Sequence, residues 1–168
     1  MQISTPEEKF QHEVSDIYDA EHRFLEAQQL MLEQASDPAL KSMIETHIVE
    51  SEGQIQNVER IFELLGEKPK RVKCHAAAGL VEEGRKTTED AGTPAIRDCI
   101  ISAAQVKVEH YEVASYRTLL MGAEGMGQLD MVKLIKQNLK QEEQTAKKIE
   151  TSAPELLQKA MSSKARGQ

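Results

Sequence analysis

The stretch FQHEVSDIYDAEHRFLEAQ, Phe10–Gln28, decides the fold. Phe10, Val14, Ile17, Glu21, Phe24 and Gln28 recur at alternating spacings of four and three, so they share one face of a helix. Such a face turns toward a core, and an ionised carboxylate there is costly unless something pairs with it or binds it. Glu21 is that carboxylate. The same intrusion recurs in three further helical segments, and a buried cluster of carboxylates is the usual framework for holding metal.

The chain around this stretch has 168 residues, enough for one domain with a real core. Its 28 acidic and 21 basic side chains give a net charge of −7, which points away from nucleic acid and anionic membranes as partners. Apolar runs are only a few residues long, so nothing reads as a membrane span. The acidic start, MQISTPEE, is followed by no apolar signal segment, and the expected location is cytoplasmic. Cys74 and Cys99 do not form a metal-type pair and are expected to be free thiols. Abundant Ala, Glu, Gln and Lys, no Trp and no strand pattern predict an all-α protein.

Helix starts are well marked. Thr5-Pro6-Glu7-Glu8 is a capping box with proline in the first turn, and Asp37-Pro38 and Thr93-Pro94 repeat the cap-then-proline order. Gly66 and the Gly122–Gly127 stretch read as helix ends. The prediction is four long helices, at about 5–35, 38–65, 94–122 and 128–151, with a short tail helix after Pro154 in a segment of 154–168. Short loops make the first two helices an antiparallel hairpin, and the last two another. The 66–93 crossover is too long for a hairpin and holds a short helix around 74–88. Two hairpins joined by one long crossover describe a ferritin-like four-helix bundle.

On the second helix the apolar stripe is interrupted by His47, Glu50, Ser51 and Gln54, with Glu50 toward its edge. The third carries Glu109 and Glu112 inside a wide apolar arc, and the fourth carries Glu142 near the centre of its stripe. Residues equidistant from a hairpin turn lie at equal height. Glu21 and Glu50 flank the Ser36–Pro38 turn evenly, Glu112 and Glu142 flank Gly127, and Glu109 and Glu142 flank Gly125. The glutamates therefore fall into one layer. Neighbouring carboxylates repel, and divalent cations relieve that repulsion; ligation by oxygens with an imidazole suits iron or manganese. The candidate ligands are Glu21, Glu50, Glu109, Glu112, Glu142, His47 and Gln54. For His47 a hydrogen-bonded core role stands beside the ligand role, and Gln54 is either a weak ligand or a hydrogen-bond partner. Glu109 or Glu112 has the alternative of pairing with Lys107 or Arg117. His110 falls outside its helix's apolar arc, and ordinary packing suits Tyr18 better than a role beside Glu21.

Asp19-Ala20-Glu21, His47-Ile48-Val49-Glu50, Lys73-Cys74 with Gly79-Leu80-Val81-Glu82-Glu83, and Lys107-Val108-Glu109-His110-Tyr111-Glu112-Val113-Ala114-Ser115-Tyr116 together resemble the YciE/YciF family of bacterial ferritin-like stress proteins. The resemblance runs from about Phe10 to Ile149. It implies a ferritin-like fold, a stress-response role, a di-iron or manganese centre, a ferroxidase-type reaction with oxygen or peroxide, and a homodimer. Ferritins place Glu-x-x-His on helices two and four; here Gly53 follows Glu50 at that spacing and Thr145 follows Glu142, which leaves both one metal and two open. The alternative reading is a non-enzymatic stress protein whose helices serve as a scaffold for partners.

Overall fold

Three of the long helices begin where a side chain satisfies free N–H groups of the first turn. In a computed structural model that describes residues 3–165, and side chains through 162, α1 spans Pro6–Gln34 and α2 Pro38–Leu64. They are followed by α3 at His75–Glu89, α4 at Pro94–Gly125 and α5 at Leu129–Ala165. Thr5 Oγ1 accepts from the Glu8 N–H at 3.1 Å while the Glu8 carboxylate accepts from the Thr5 N–H at 3.1 Å, which closes the capping box. Asp37 caps α2 through the Ala39 and Leu40 N–H groups at 2.9 and 3.0 Å, and Thr93 caps α4 through Ile96 at 3.3 Å. The described residues are helical with connecting turns and contain no strand. No helix among them is long and apolar enough to cross a membrane.

The four long helices touch in a closed ring: α1 packs on α2 and α4, and α5 packs on α4 and α2. The short α3 lies outside the ring against α1 and α4. Two apolar clusters fill the interior. The larger gathers Phe10, Val14, Ile17, Phe24, Val58, Phe62, Tyr116 and Ile135 among others; the smaller gathers Met31, Ala35, Leu40, Ile44, Ile101 and Leu156. Between them every long helix turns a polar side chain inward: Gln28 on α1, His47, Ser51 and Gln54 on α2, Gln105 and Glu109 on α4, Glu142 and Thr145 on α5, all buried. The functional candidates thus occupy a polar belt clamped between two apolar plugs.

Two features depart from sequence expectation. The helix expected to end at 122 runs on to Gly125, because Gly122 is a packing position and not a stop. A Cβ there would sit 2.9 Å from the Phe10 ring. The stop is Gly127 at φ 69°, where Gly127 N–H reaches the Glu124 carbonyl and Gln128 N–H the Ala123 carbonyl. The helix expected to end at 151 does not break at Pro154; α5 continues as one element to Ala165. Proline removes one helical hydrogen bond. Past it Leu156 and Ala160 are buried, Leu156 within the smaller cluster, and Lys159 Nζ pairs with Asp37 at 2.7 Å. Burying one leucine stabilises by about 1.5–3 kcal/mol, the scale of a proline's usual penalty of about 3 kcal/mol, so packing outweighs propensity. Both cysteines are free, as expected, and Cys74 is the N-cap of α3: its Sγ accepts from the Ala77 N–H at 3.3 Å.

Candidate metal centre

Glu21 projects from α1 into the belt and is fully buried. One of its oxygens accepts a short hydrogen bond from the Tyr116 hydroxyl of α4, and the other, Oε2, has no partner. Asn138 of α5 supports this arrangement by donating through Nδ2 to the Tyr116 oxygen at 3.0 Å and to the Gln54 carbonyl at 3.2 Å. Neither Tyr116 nor Asn138 is among the candidate site residues read from the sequence. Tyr116 lies on the face of Glu109 and Glu112, four residues after the latter, and that spacing was the available signal.

His47, Glu109, Glu112 and Glu142, all buried, each bring one ligand atom to within 4.8 Å of the others. They come from α2, α4 and α5. His47 Nε2 lies 3.1 Å from Glu109 Oε1 and 4.0 Å from Glu142 Oε2. The Glu109 contact is off the line of a hydrogen bond, so it is an electrostatic approach, and Nε2 and both Glu109 oxygens remain without a partner. Gln54 Nε2 donates a short hydrogen bond to Glu142 Oε1, which leaves Glu142 Oε2 and Gln54 Oε1 unpaired.

Glu50 stands apart. Its side chain keeps 23% of its surface exposed and does not join the cluster. Its Oε2 accepts from His47 Nδ1 at 3.4 Å and from Thr145 Oγ1 at 3.3 Å. The reason is azimuthal: on α2 the inward line runs His47, Ser51, Gln54, Val58, and Glu50 is one residue, about 100°, off it. A cavity of about 110 Å³, lined by Thr46, His47, Glu50, Gln105, Thr145 and Lys148 among others, lies against this edge of the belt.

The alternative pairings resolve elsewhere. Lys107 pairs with Glu83 at 2.8 Å and Arg117 with Glu143 at 2.7 Å, both at the surface, so neither neutralises Glu109 or Glu112. His110 forms an exposed pair with Glu150 at 2.7 Å. Tyr18 donates to Glu59 at 2.8 Å and packs edge-on against Phe62, away from Glu21.

The electrostatics follow from burial and crowding. Burial pushes the Glu21 carboxyl up to about 7; the Tyr116 hydrogen bond and His47 pull it back, and Glu109 adds to the rise. Glu112 stands well above the usual carboxylate range through burial and the neighbouring Glu142, Glu21 and Glu109 charges. Glu142 is raised in the same way, by burial and Glu109, with His47 opposing. Burial alone would lower His47, but Glu109, Glu50 and Glu142 carry it well above its usual value. The only cationic partner that the described contacts bring to these glutamates is His47. Without a further cation, the cluster must hold protons to be stable.

The donor set fits a divalent ion. Five carboxylate oxygens (Glu21 Oε2, Glu109 Oε1 and Oε2, Glu112 Oε2, Glu142 Oε2) and His47 Nε2 are buried without partners. Donors bound at about 2.1 Å lie at most about 4.2 Å apart across one ion. The 4.8 Å span of His47, Glu109, Glu112 and Glu142 therefore closes by a shift of a few tenths of an ångström per side chain, and Glu21 lies outside that group.

A family model described as a domain of unknown function (DUF892) matches residues 5–162. Protein YciF of Escherichia coli (strain K12) is 37% identical over 146 residues, 86% of this chain and 88% of YciF. The crystal structure of the E. coli stress protein YciF superposes with a TM-score of 0.88 at 35% identity, covering 94% of this chain and 99% of that one. YcfI of Rhodopseudomonas palustris, described as a candidate structural protein, superposes with a TM-score of 0.87 at 35% identity, covering 89% and 96%.

Proposed function

The chain belongs to the DUF892 family, and from that premise we propose that it is a ferritin-like stress-response protein that binds iron or manganese and oxidises Fe(II) with oxygen or peroxide. The ring of α1, α2, α5 and α4, with α3 outside it, supports reading the fold as a ferritin-like four-helix bundle. The observation that carries the function is the set of five orphaned carboxylate oxygens beside His47 Nε2, buried between two apolar clusters. Orphaned buried acceptors are expensive, and a divalent cation satisfies them at once.

In this reading Glu109, Glu112, Glu142 and His47 hold the first ion, and Glu21 offers its free oxygen to a second. Gln54 and Tyr116 keep Glu142 and Glu21 turned inward by donating to their other oxygens. Bound Fe(II) supplies the electrons that oxygen or peroxide takes up. The apolar plugs on either side exclude bulk water, and the carboxyl protons leave as cations enter. The working unit is a cytoplasmic homodimer, the commonest soluble assembly. Half-buried Leu80 and Val81 on α3 supply apolar surface for it.

The test is an aerobic Fe(II) titration of chelator-treated protein, followed by ultraviolet absorbance and oxygen uptake. Saturation at about two Fe(II) per chain, lost in Glu109→Gln, is the expected result. No saturable binding would leave a metal-free scaffold, in line with the description of YcfI.

A further inference from the structure

We propose that Glu50 is the positioning residue of His47: its carboxylate accepts the Nδ1–H and so aims Nε2 at Glu109 and Glu142. The inference rests on the metal-binding reading above and goes beyond it in assigning Glu50 a place outside the ligand set. The two nitrogens of His47 face different surroundings. Nδ1 lies 3.4 Å from Glu50 Oε2, toward the cavity edge, whereas Nε2 lies 3.1 Å from Glu109 Oε1 and 4.0 Å from Glu142 Oε2, inside the cluster. An imidazole binds a metal through one nitrogen, and the hydrogen bond made by the other decides which.

The Glu50 oxygen is itself held. Oε2 also accepts from Thr145 Oγ1 at 3.3 Å, one turn along α5 from Glu142. The same oxygen therefore ties the His47 ring on α2 to the helix that carries Glu142. With Oε2 committed to two donors and its position off the inward line of α2, Glu50 stays outside the group formed by His47, Glu109, Glu112 and Glu142. Gln105 and Lys148 line the same cavity, but among the described residues Nδ1 has no acceptor other than Glu50.

The experiment uses Zn(II) as the probe on the chelator-treated full chain, by isothermal titration and by 15N NMR of His47. Glu50→Ala is expected to weaken Zn(II) binding about 10–100-fold at unchanged stoichiometry. Glu50→Gln, whose amide oxygen still accepts from Nδ1–H, recovers most of that loss. Thr145→Val, which frees only the clamp on Oε2, weakens binding in the same direction by less. In the Zn(II)-loaded wild type, Nε2 is metal-bound and Nδ1 carries the proton. Equal affinity in wild type and Glu50→Ala overturns the proposal, as does an Nδ1-bound ring. A Glu50→Gln protein that binds as weakly as Glu50→Ala, with fewer ions per chain, would make Glu50 a ligand and also overturn it. If the wild type binds no Zn(II), both this inference and the metal-binding reading fall; if it binds and the variants match it, only this inference does.

Discussion

Asp19 and Glu21 lie two residues apart on α1, both buried, and live in opposite worlds. Asp19 accepts from Arg23 Nε at 2.5 Å, Arg71 Nε at 2.8 Å and the Cys74 N–H at 2.9 Å. Burial would raise its pKa, but these donors outweigh burial and hold the carboxyl below its usual value. Glu21 has one hydroxyl donor and an orphaned oxygen, and is pushed up to about 7. One carboxylate locks the crossover to α1; the other is left short of positive charge. A buried carboxylate is thus a structural residue or a binding residue according to whether the fold supplies its cations, and burial alone does not say which.

The largest test of this contrast is the pH dependence of the metal-free protein. Asp19, held below its ordinary 3.8, contributes stability that is complete above that value and is lost as pH falls through its lowered value. Glu21 binds its proton more tightly when folded, so stability falls as pH rises from its ordinary 4.5 to about 7. His47, raised above its ordinary 6.5, contributes stability that is present below 6.5 and lost as pH rises through its raised value. Urea midpoints measured from pH 3 to 9 should peak at about pH 4 and decline toward alkaline pH, a decline that saturating Mn(II) flattens. A metal-free profile that holds level to pH 9 would mean the belt is neutralised by the protein itself.

Two substitutions then sharpen the comparison, with opposite signs. Asp19→Ala removes an acceptor shared by two guanidinium groups and one amide; because both arginines are partly exposed, the expected loss is about 2–4 kcal/mol in urea unfolding. Glu112→Gln removes a like charge from the belt and should raise metal-free stability at pH 8 by roughly 1 kcal/mol, with less gain at pH 5, while weakening Fe(II) binding. Equal and same-signed effects would erase the distinction between the two regions. The smallest effect is expected from Tyr116→Phe, which deprives Glu21 of its donor and Asn138 of one acceptor, at about 1 kcal/mol. Its diagnostic is a Glu21 carboxyl that titrates higher still, seen by 13C NMR.

The sequence made the odd residue visible but not the whole site. Glu21 stood out because a charged residue on an apolar stripe violates a one-dimensional pattern. Mirrored spacing about a turn carries height along a hairpin, and height is what Glu21, Glu109, Glu112 and Glu142 share. It carries no azimuth, and so Glu50, at the right height, sits at the edge of the belt, while His47, nearly a turn away, points in. Tyr116 and Asn138 matter only through contacts across helices, which no single-helix pattern encodes. Pro154 signalled a break; Leu156 and Ala160 override it through packing that forms only in the assembled ring. The family was legible in the third-helix segment, residues 107–116, and the DUF892 match bears it out.

The ion pair between Lys159 and Asp37 joins residues 122 positions apart. In kinetic terms it is among the longest closures described here, and such closures come late because the loop entropy is spent before any contact repays it. The smaller apolar cluster, which needs Leu156 from α5 against Met31 and Leu40 at the α1–α2 turn, closes with it. A ribosome delivers α1 and α2 long before that segment emerges. The plug on one side of the glutamate belt therefore cannot close before the part of α5 past Pro154 is available.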